Sequence, residues 1–469
     1  MSRFSLIYIG SFTLLISIFS FLNIIYSYYF KLFLNVNIYI LIFLSTLLIG
    51  LFLIFFKSSK FKKINLYEKI FIVIFGYFFF PIILSIPFYF NIYNISFLNC
   101  YFEAISGFTS TGFSVFENIN QLDESLIIWR SSSQWIGGLY FLFSLLLLID
   151  IYDENLKKSI TNYISFSSSE IIKQSLKILI IYLSLTIIIF LFLKIIDLRT
   201  FVSFNFAMTI ISSGGFLPVN NFDILFQSDF SKIILSILIL SSYFSLFLIY
   251  NLVFFKSKNL SYLSEDLYLA IYLTIIISII FVFFNYDNNF LNILVSISSS
   301  VSNLGISFNT VPENLSFVFL ILVIIGGSFF STSSGLRVVK IFTLIKYSLN
   351  NLLSHTKPNQ IYLNKVSILS SNTNKSDTNK YFLTILIFIT SLFSISILLT
   401  VSGIDFEKAF KLGVLTIMNT VNSSMYGMAY FDFNNSNMLS KISLILFMII
   451  GRIELLTLFI LIKKFLFKN

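Results

Sequence analysis

The sequence predicts an all-α polytopic membrane protein with about ten transmembrane helices. Two observations support this fold class. Of the 469 residues, 57% are hydrophobic and only 11% are charged, against about 25% charged residues in a typical soluble domain. The mean hydropathy is +0.91, and the apolar residues form runs of about 20, the length that spans a bilayer as a helix. Lipid is therefore the expected solvent for most of the chain.

The predicted spans follow from the apolar runs. They are placed at 5–29, 33–56, 69–90, 125–150, 172–195, 230–255, 266–285, 315–350, 381–402 and 438–463. The first two form an N-terminal helical hairpin. The eighth, of about 35 residues, is too long for one straight span and must tilt or break.

Lysine and arginine set the predicted orientation. They crowd the gaps after the second, fourth, sixth and eighth runs and the end of the chain, whereas the alternate gaps are poor in lysine. Basic residues mark the cytoplasmic side of short membrane loops. We therefore expect a multi-pass protein of the cell (inner, cytoplasmic) membrane, surrounded by lipid, with both termini in the cytoplasm. The same distribution accounts for the net charge of +10 without binding of nucleic acid.

Each of the lysine-poor gaps contains a semi-apolar stretch that is too short to span the membrane. These stretches lie at 97–108, 201–211, 288–301 and 405–419. A segment that enters and leaves the membrane from one side is tolerated only where it is buried in protein or lines water. Four such segments in one chain predict a shared central pore.

A small polar cluster follows each short stretch, and the four clusters look like degenerate copies of one motif. The clusters are Thr109, Ser110, Thr111 and Gly112; Ser212, Ser213, Gly214 and Gly215; Ser302, Asn303, Leu304 and Gly305; and Thr420, Val421, Asn422 and Ser423. They recur about every 100 residues, which indicates internal repeats. We divide the chain into a hairpin at 1–64 and pore repeats at 65–160, 161–260, 261–355 and 356–469, the last beginning with a cytoplasmic linker.

These residue types suit the binding of a dehydrated alkali cation. Backbone carbonyls and hydroxyls supply oxygen ligands without a fixed charge. Glycine adopts the backbone angles that aim carbonyls inward, and the C-terminal end of a preceding helix carries a partial negative charge. The four clusters therefore predict a selectivity filter for potassium, which is the substrate, and no cofactor is expected.

The fourth cluster departs from the pattern because it lacks the glycine. Ungapped alignment places Asn422 where glycine stands in the other three, and asparagine enters left-handed geometry more readily than most residues. Gly427 is the competing candidate if the register is shifted.

At these residues the sequence resembles the Trk/Ktr/HKT superfamily of potassium transporters, specifically its TrkH/KtrB-type (NtpJ-like) pore subunits. Segment 102–113 resembles the first pore helix and filter, and 129–138 resembles the next helix. Segment 331–337 resembles the small-residue break in the third repeat, although Ser334 replaces a usual glycine. The motif Gly451-Arg452-Ile453-Glu454 matches Gly-Arg-x-Glu in the last helix.

The resemblance implies four pseudo-fourfold helix–pore helix–helix repeats around one pathway. It also implies a homodimer and a cytoplasmic nucleotide-binding subunit of the RCK type that gates the pore.

The break in the eighth run is the predicted gate. Its residues are Gly327, Ser331, Thr332, Ser333, Ser334, Gly335 and Arg337, with Arg452 as their counterpart in the last helix. Small side chains allow close approach of the backbone, and we expect them to leave few packing contacts, so that the segment moves easily. Arg337 and Lys340 are expected to form a cytoplasmic contact surface for the regulatory subunit. Arg452 either repels cations or anchors the gate.

The function that these features favour is potassium uptake through a channel-like pore, driven by the membrane potential. The alternative is a symporter that couples sodium or protons to a small solute. Such a transporter needs acidic or histidine relays inside the membrane, and acids in mid-span are nearly absent. An enzyme is not expected, because the sequence contains no His-rich metal motif and no Gly-x-Ser-x-Gly.

Overall fold

The computed structural model describes residues 3–55, 65–92, 95–148, 171–220, 222–254, 264–284, 290–309, 311–356, 365–366, 371–372, 375–428 and 431–453. Helices dominate these ranges, and the polytopic helical fold class is confirmed. Six of the described helices are long and apolar enough to cross a membrane. They contain the segments Ser5–Tyr29, Asn35–Phe55, Leu66–Asn91, Gln174–Ile195, Glu265–Phe283 and Thr378–Val401.

The chain begins with two helices, α1 (Arg3–Tyr29) and α2 (Phe33–Phe55), that pack against each other. Apolar residues on one face of α1 attach this pair to the rest of the molecule. The Phe12 ring lies 4.9 Å from the ring of Tyr140 and 5.8 Å from that of Phe80. The predicted hairpin therefore packs on the helices that follow it.

Four successive units then share one plan, in which a short helix follows a long helix and precedes a second helical segment that is interrupted in the second and third units. The first contains α3 (Leu66–Asn91), α4 (Phe97–Phe108) and α5 (Glu124–Leu147). The second contains α6 (Ile171–Ile195), α7 (Thr200–Ser212), α8 (Phe222–Leu225), α9 (Asp229–Leu240) and α10 (Leu246–Phe254).

The third unit contains α11 (Ser264–Phe284), α12 (Phe290–Val301), α13 (Ser316–Ile324), strands β1 (Ile325–Gly326) and β2 (Leu336–Arg337), and α14 (Val338–Thr356). The fourth contains α15 (Lys375–Val401), α16 (Phe406–Ile417) and α17 (Met438–Arg452). Between these units β3 (Lys365–Val366) pairs with β4 (Ser371–Asn372) in antiparallel fashion.

Contacts between units close a ring. The helix that follows each short helix packs against the short helix of the next unit: α5 against α7, α9 against α12, and α13 against α16. The last helix, α17, packs against α4 of the first unit. This cyclic pattern places the four short helices around one centre.

One predicted span is wrong. The sequence predicts a continuous helix over 230–255, but α9 ends at Leu240 and α10 begins at Leu246. Serine competes for backbone hydrogen bonds in non-helical conformations, and 241–245 contains three serines. Neighbouring chain completes the break, because the carbonyls of Ser242 and Tyr243 accept hydrogen bonds from the backbone N–H groups of Ser333 (3.2 Å) and Ser328 (3.0 Å).

The repeat boundaries at 64, 160 and 260 lie outside the described residues, and the division of the chain stays a prediction. Residues 454–469 also lie outside them, including Glu454 of the last motif and the end of the tenth predicted span.

Candidate functional site

Each short helix ends in a turn of the same geometry. In each turn a backbone N–H bonds to the carbonyl five residues earlier in the helix: Thr111 to Ser106 (2.9 Å), Gly214 to Thr209 (2.9 Å), Leu304 to Ser299 (3.0 Å) and Thr420 to Leu415 (2.9 Å). The residue before each of these donors is left-handed: Ser110 (φ 55°), Ser213 (φ 59°), Asn303 (φ 61°) and Asn419 (φ 48°). We call 109–112, 212–215, 302–305 and 418–421 the first to fourth turns.

This geometry fixes the register of the fourth turn. Gly112, Gly215 and Gly305 follow the left-handed residue by two positions, with φ of 84°, 80° and 78°. Two positions after Asn419 stands Val421, not Asn422. The alignment that equates Asn422 with the glycines is therefore wrong by one residue, because the helix ends one residue earlier than that alignment requires.

The turns contact one another directly. Asn303 Nδ2 of the third turn donates to Thr420 Oγ1 of the fourth at 3.2 Å. Asn419 Nδ2 of the fourth turn donates to Thr111 Oγ1 of the first at 3.0 Å. Ser213 Oγ of the second turn donates to the Ser302 carbonyl of the third. The four polar clusters thus meet at one place.

The glycines are required by close packing. A Cβ on Gly112 would lie 2.6 Å from the Gly214 carbonyl oxygen, and one on Gly215 would lie 2.9 Å from the Leu304 carbonyl oxygen. A Cβ on Gly305 would lie 2.7 Å from the carbonyl oxygen of Val421. Each glycine therefore faces a backbone oxygen of the next turn around the ring.

Most of the predicted filter residues are brought together by these contacts. The first three clusters are buried in full, as is Thr420; the members are Thr109, Ser110, Thr111, Gly112, Ser212, Ser213, Gly214, Gly215, Ser302, Asn303, Leu304, Gly305 and Thr420. Val421 is half-buried at the same centre. Asn422 and Ser423 lie beyond the fourth turn, where Asn422 Nδ2 donates to the Met428 carbonyl at 3.1 Å.

The predicted break in the third unit is present as a loop between two strands. Strand β1 pairs with β2 in parallel, with Ile325 opposite Leu336. The segment between them, which we call the small-residue loop (residues 327–335), contains the predicted gate residues Gly327, Ser331, Thr332, Ser333, Ser334 and Gly335. All of these except Gly335 are buried, and Gly335 is half-buried.

Hydrogen bonds tie the small-residue loop to the second unit and to α11. In addition to the two bonds to the α9–α10 break, the Leu246 N–H donates to the Phe330 carbonyl at 3.1 Å. The Phe329 N–H of the loop donates to Glu265 Oε1 of α11 at 3.1 Å. The neighbouring Asp266 Oδ1 accepts from the Ser245 N–H of the α9–α10 break at 3.0 Å, so α11 holds both irregular segments. The expectation that this segment makes few contacts is therefore wrong.

A second set of contacts connects the small-residue loop to the turns. Arg452 Nη1 donates to Ser334 Oγ at 2.7 Å, and Ser334 Oγ lies 3.4 Å from Asn419 Oδ1. Arg452 Nη2 lies 3.4 Å from Ser110 Oγ, and the guanidinium stacks 4.1 Å from the centre of the Phe141 ring. Arg452 thus contacts both the loop and the first turn.

Arg337 does not form the exposed surface expected from the sequence. Its side chain is 6% exposed, and Nη1 donates to the Ser328 carbonyl at 2.7 Å and the Ser333 carbonyl at 3.2 Å. Lys340 is equally buried. Carbonyl groups of a non-helical loop have no hydrogen-bond donors within a helix, and the Arg337 guanidinium supplies donors to two of them.

Two features at the site were missed from the sequence. Gln134 of α5 donates from Nε2 to the Gly214 carbonyl at 2.5 Å and so holds the second turn. Glu103 of α4 pairs with Arg130 of α5 at 2.8 Å, and its other oxygen accepts from the Val115 N–H at 2.9 Å. Both features could have been found from the sequence, because each has a polar residue within an apolar helix. Such a residue is energetically unfavourable in a membrane unless it has a hydrogen-bonding or charged partner.

Comparison with known proteins gives distant relatives along most of the chain. An uncharacterized cation transporter of Methanocaldococcus jannaschii is 24% identical over 463 residues, covering 91% of this chain and 90% of that protein. The Trk system potassium uptake protein TrkH of Halomonas elongata is 23% identical over 382 residues, covering 77% of each. TrkG of Escherichia coli is 22% identical over 402 residues, covering 80% of each. No protein-family model matches the chain.

Among solved structures, the chain resembles the crystal structure of the potassium transporter TrkH from Vibrio parahaemolyticus. The TM-score is 0.80 at 21% sequence identity, and the match covers 98% of each chain. The likeness of fold therefore extends over nearly the whole length of both chains.

Proposed function

Because the chain belongs to the Trk/Ktr/HKT superfamily, within its TrkH type, we propose that it takes up potassium through a channel-like pore at the centre of the four turns. It is a multi-pass membrane transport protein and not an enzyme, since its relatives are named for potassium uptake or cation transport.

The convergence of the four turns carries this proposal. The carbonyl oxygens of Gly214 and Leu304 lie against the glycines of neighbouring turns, and the C-terminal end of a short helix stands behind each turn. Carbonyl oxygens replace the hydration shell of an alkali cation, and aligned helix C-termini add partial negative charge. Both favour a cation over an anion at this centre.

The membrane potential supplies the driving force. Moving one elementary charge across 100 mV yields about 2.3 kcal/mol, and the site holds a cation without a fixed negative charge. In the proposal both termini lie in the cytoplasm, so that a negative interior draws potassium inward through the turns and past the small-residue loop.

The small-residue loop is proposed as the gate. It lies between the turns and the helix α14 that follows it, and Arg452 connects it to the first turn. A cytoplasmic nucleotide-binding subunit of the RCK type and a second copy of this chain are the proposed partners. With Arg337 and Lys340 buried, such a subunit is proposed to act on other residues of α14 and its flanking segments.

A coupled transporter remains the second candidate. It needs a titratable or cation-binding acid within the membrane. The buried Glu103 is engaged by Arg130 at 2.8 Å and by the Val115 N–H, which leaves it poorly suited to such a relay. This contact counts against Glu103 as a relay. Glu265 and Asp266 of α11 accept backbone N–H groups of Phe329 and Ser245, and the uptake experiment below separates the two candidates.

Rubidium uptake into proteoliposomes tests the proposal. With equal sodium and pH on both sides and an imposed inside-negative potential, we expect radioactive rubidium to accumulate, and excess potassium to compete better than excess sodium. Protein-free liposomes are the control. Uptake that occurs only with a sodium or proton gradient, and not with the potential alone, would favour the symporter and contradict the pore.

A further inference from the structure

The fourth turn departs from the other three at the position that faces the centre. Gly112, Gly215 and Gly305 have positive φ, whereas Val421 at the equivalent position does not. A β-branched residue pays a steric penalty in the left-handed region. The fourth turn therefore has a different backbone as well as a side chain where the others have none.

The Val421 side chain occupies the space on which the three glycines converge. A Cβ built on Gly112 would lie 3.0 Å from Val421 Cβ, and one built on Gly215 would lie 2.8 Å from the same atom. A Cβ built on Gly305 would lie 2.8 Å from Val421 Cγ1. A side chain at any of these three glycine positions, which belong to three different units, would thus meet the same isopropyl group of Val421.

The backbone oxygens show a matching shift. By their hydrogen-bond register, Gly214, Leu304 and Thr420 are equivalent. The glycines of the first and second turns face the carbonyl oxygens of Gly214 and Leu304, but Gly305 faces the oxygen of Val421 rather than that of Thr420. The ring of backbone oxygens is therefore irregular at the fourth turn.

We propose that Val421 is the residue that restricts flux and sets ion discrimination in this pore, by placing a hydrocarbon group among the three glycines. This inference rests on the proposed pore function. A cation passing this level meets three glycine backbones and one isopropyl group, which offers no oxygen ligand. It must displace the side chain, and the shifted backbone oxygen of the fourth turn weakens the preference for an ion that fits a regular cage of oxygens.

A substitution series at position 421 tests this inference by rubidium uptake into proteoliposomes with an imposed inside-negative potential. Val421→Gly removes the side chain and permits positive φ, so we expect about tenfold faster rubidium uptake and weaker competition by sodium. Val421→Ala removes two methyl groups without glycine's backbone freedom, and we expect an intermediate rate. Val421→Ile adds a methylene, and we expect uptake slower than that of the wild type.

Val421→Thr keeps the β-branch and nearly the shape of valine but replaces one methyl group with a hydroxyl, so it separates the bulk of the side chain from its apolar character. If bulk restricts flux, Val421→Thr takes up rubidium more slowly than Val421→Ala, and equal uptake by these two variants would contradict that role. Protein content per liposome and melting temperature are measured for every variant, and the Ala variant carries the test if the Gly variant does not fold.

The outcomes separate the inference from the function on which it rests. Equal rubidium uptake and equal sodium competition in wild type, Gly and Ala variants overturn the role of Val421 while leaving the pore intact. Absence of potential-driven uptake in every protein overturns both. A graded rise from Ile through Val to Ala and Gly supports both.

Discussion

The four left-handed residues show how single positions shape the turns. Serine or asparagine occupies this conformation in every turn, although only glycine enters it without a steric penalty. The cost of such a residue is of order 1–3 kcal/mol. Three of the four side chains also bond to neighbouring turns: those of Ser213, Asn303 and Asn419. The strained residues therefore help to join the units that they terminate.

The glycine at the centre of the first turn gives a prediction at the same scale. Gly112→Ser introduces a Cβ 2.6 Å from the Gly214 carbonyl oxygen at a φ of 84°. The oxygen must move, so we expect rubidium uptake to fall, or sodium to compete more effectively, by about tenfold. Rubidium uptake with and without competing sodium measures both effects.

Gly403→Ser is the matched control for that substitution. Gly403 also has a positive φ, 96°, but a Cβ there meets nothing within 4 Å. The Gly403→Ser variant should lose only the free energy of folding that a left-handed backbone costs a non-glycine residue, about 1–2 kcal/mol. Once folded, it should transport rubidium at the wild-type rate. Equal transport by the two variants would show that Gly112 does not border the ion pathway.

At the scale of elements, the break in α9–α10 and the small-residue loop depend on each other. The break exposes the carbonyls of Ser242 and Tyr243, and the loop offers backbone N–H groups to them. Glu265 accepts a further N–H of the loop. Non-helical backbone at membrane depth is tolerated only where such partners exist, so neither irregular segment is stable without the other.

The link between Arg452 and the loop predicts a gating effect. Ser334→Ala removes the hydroxyl that accepts from Arg452 at 2.7 Å. A hydrogen bond to a charged group contributes about 1.5–3 kcal/mol, so the loop should open more often and basal rubidium uptake should rise about tenfold or more. Potential-driven uptake without any partner protein measures this rise.

Ser17→Ala serves as the comparison for the loop variant. Ser17 lies in α1, and its hydroxyl donates to the Leu14 carbonyl of its own helix at 2.7 Å. Its removal should leave basal uptake unchanged. If Ser334→Ala also leaves uptake at the wild-type rate, the loop does not limit flux through this contact.

The elements that were predictable are those governed by local pattern. Apolar runs of spanning length placed α1, α2, α3 and α11 within a few residues, and small residues placed the break at 327–335. The break at 241–245 was not predictable, because its surroundings are apolar and the carbonyls of Ser242 and Tyr243 are satisfied by Ser333 and Ser328, far along the chain. The burial of Arg337 was missed for the same reason, since its acceptors exist only once the loop is folded.

At the scale of the whole molecule, the ring of helix contacts determines the site. Each unit alone ends its short helix in an irregular turn, and the partners of that turn come from the adjacent units. Repetition in the sequence predicted four polar clusters that the structure brings together, and their role as a filter stays a prediction. The register of the fourth turn was not predictable by alignment, because Val421 replaces the glycine that would mark it and only the hydrogen bonds of Asn419 and Thr420 fix the count.

In the proposed function, potassium passes through the place where the four turns meet. Crystals of the full chain grown in rubidium, measured for anomalous scattering, test this most directly. We predict a rubidium peak on the axis of the turns, within coordination distance of the carbonyl oxygens of Gly214 and Leu304. Rubidium peaks confined to other sites, with none at the turns, would contradict it.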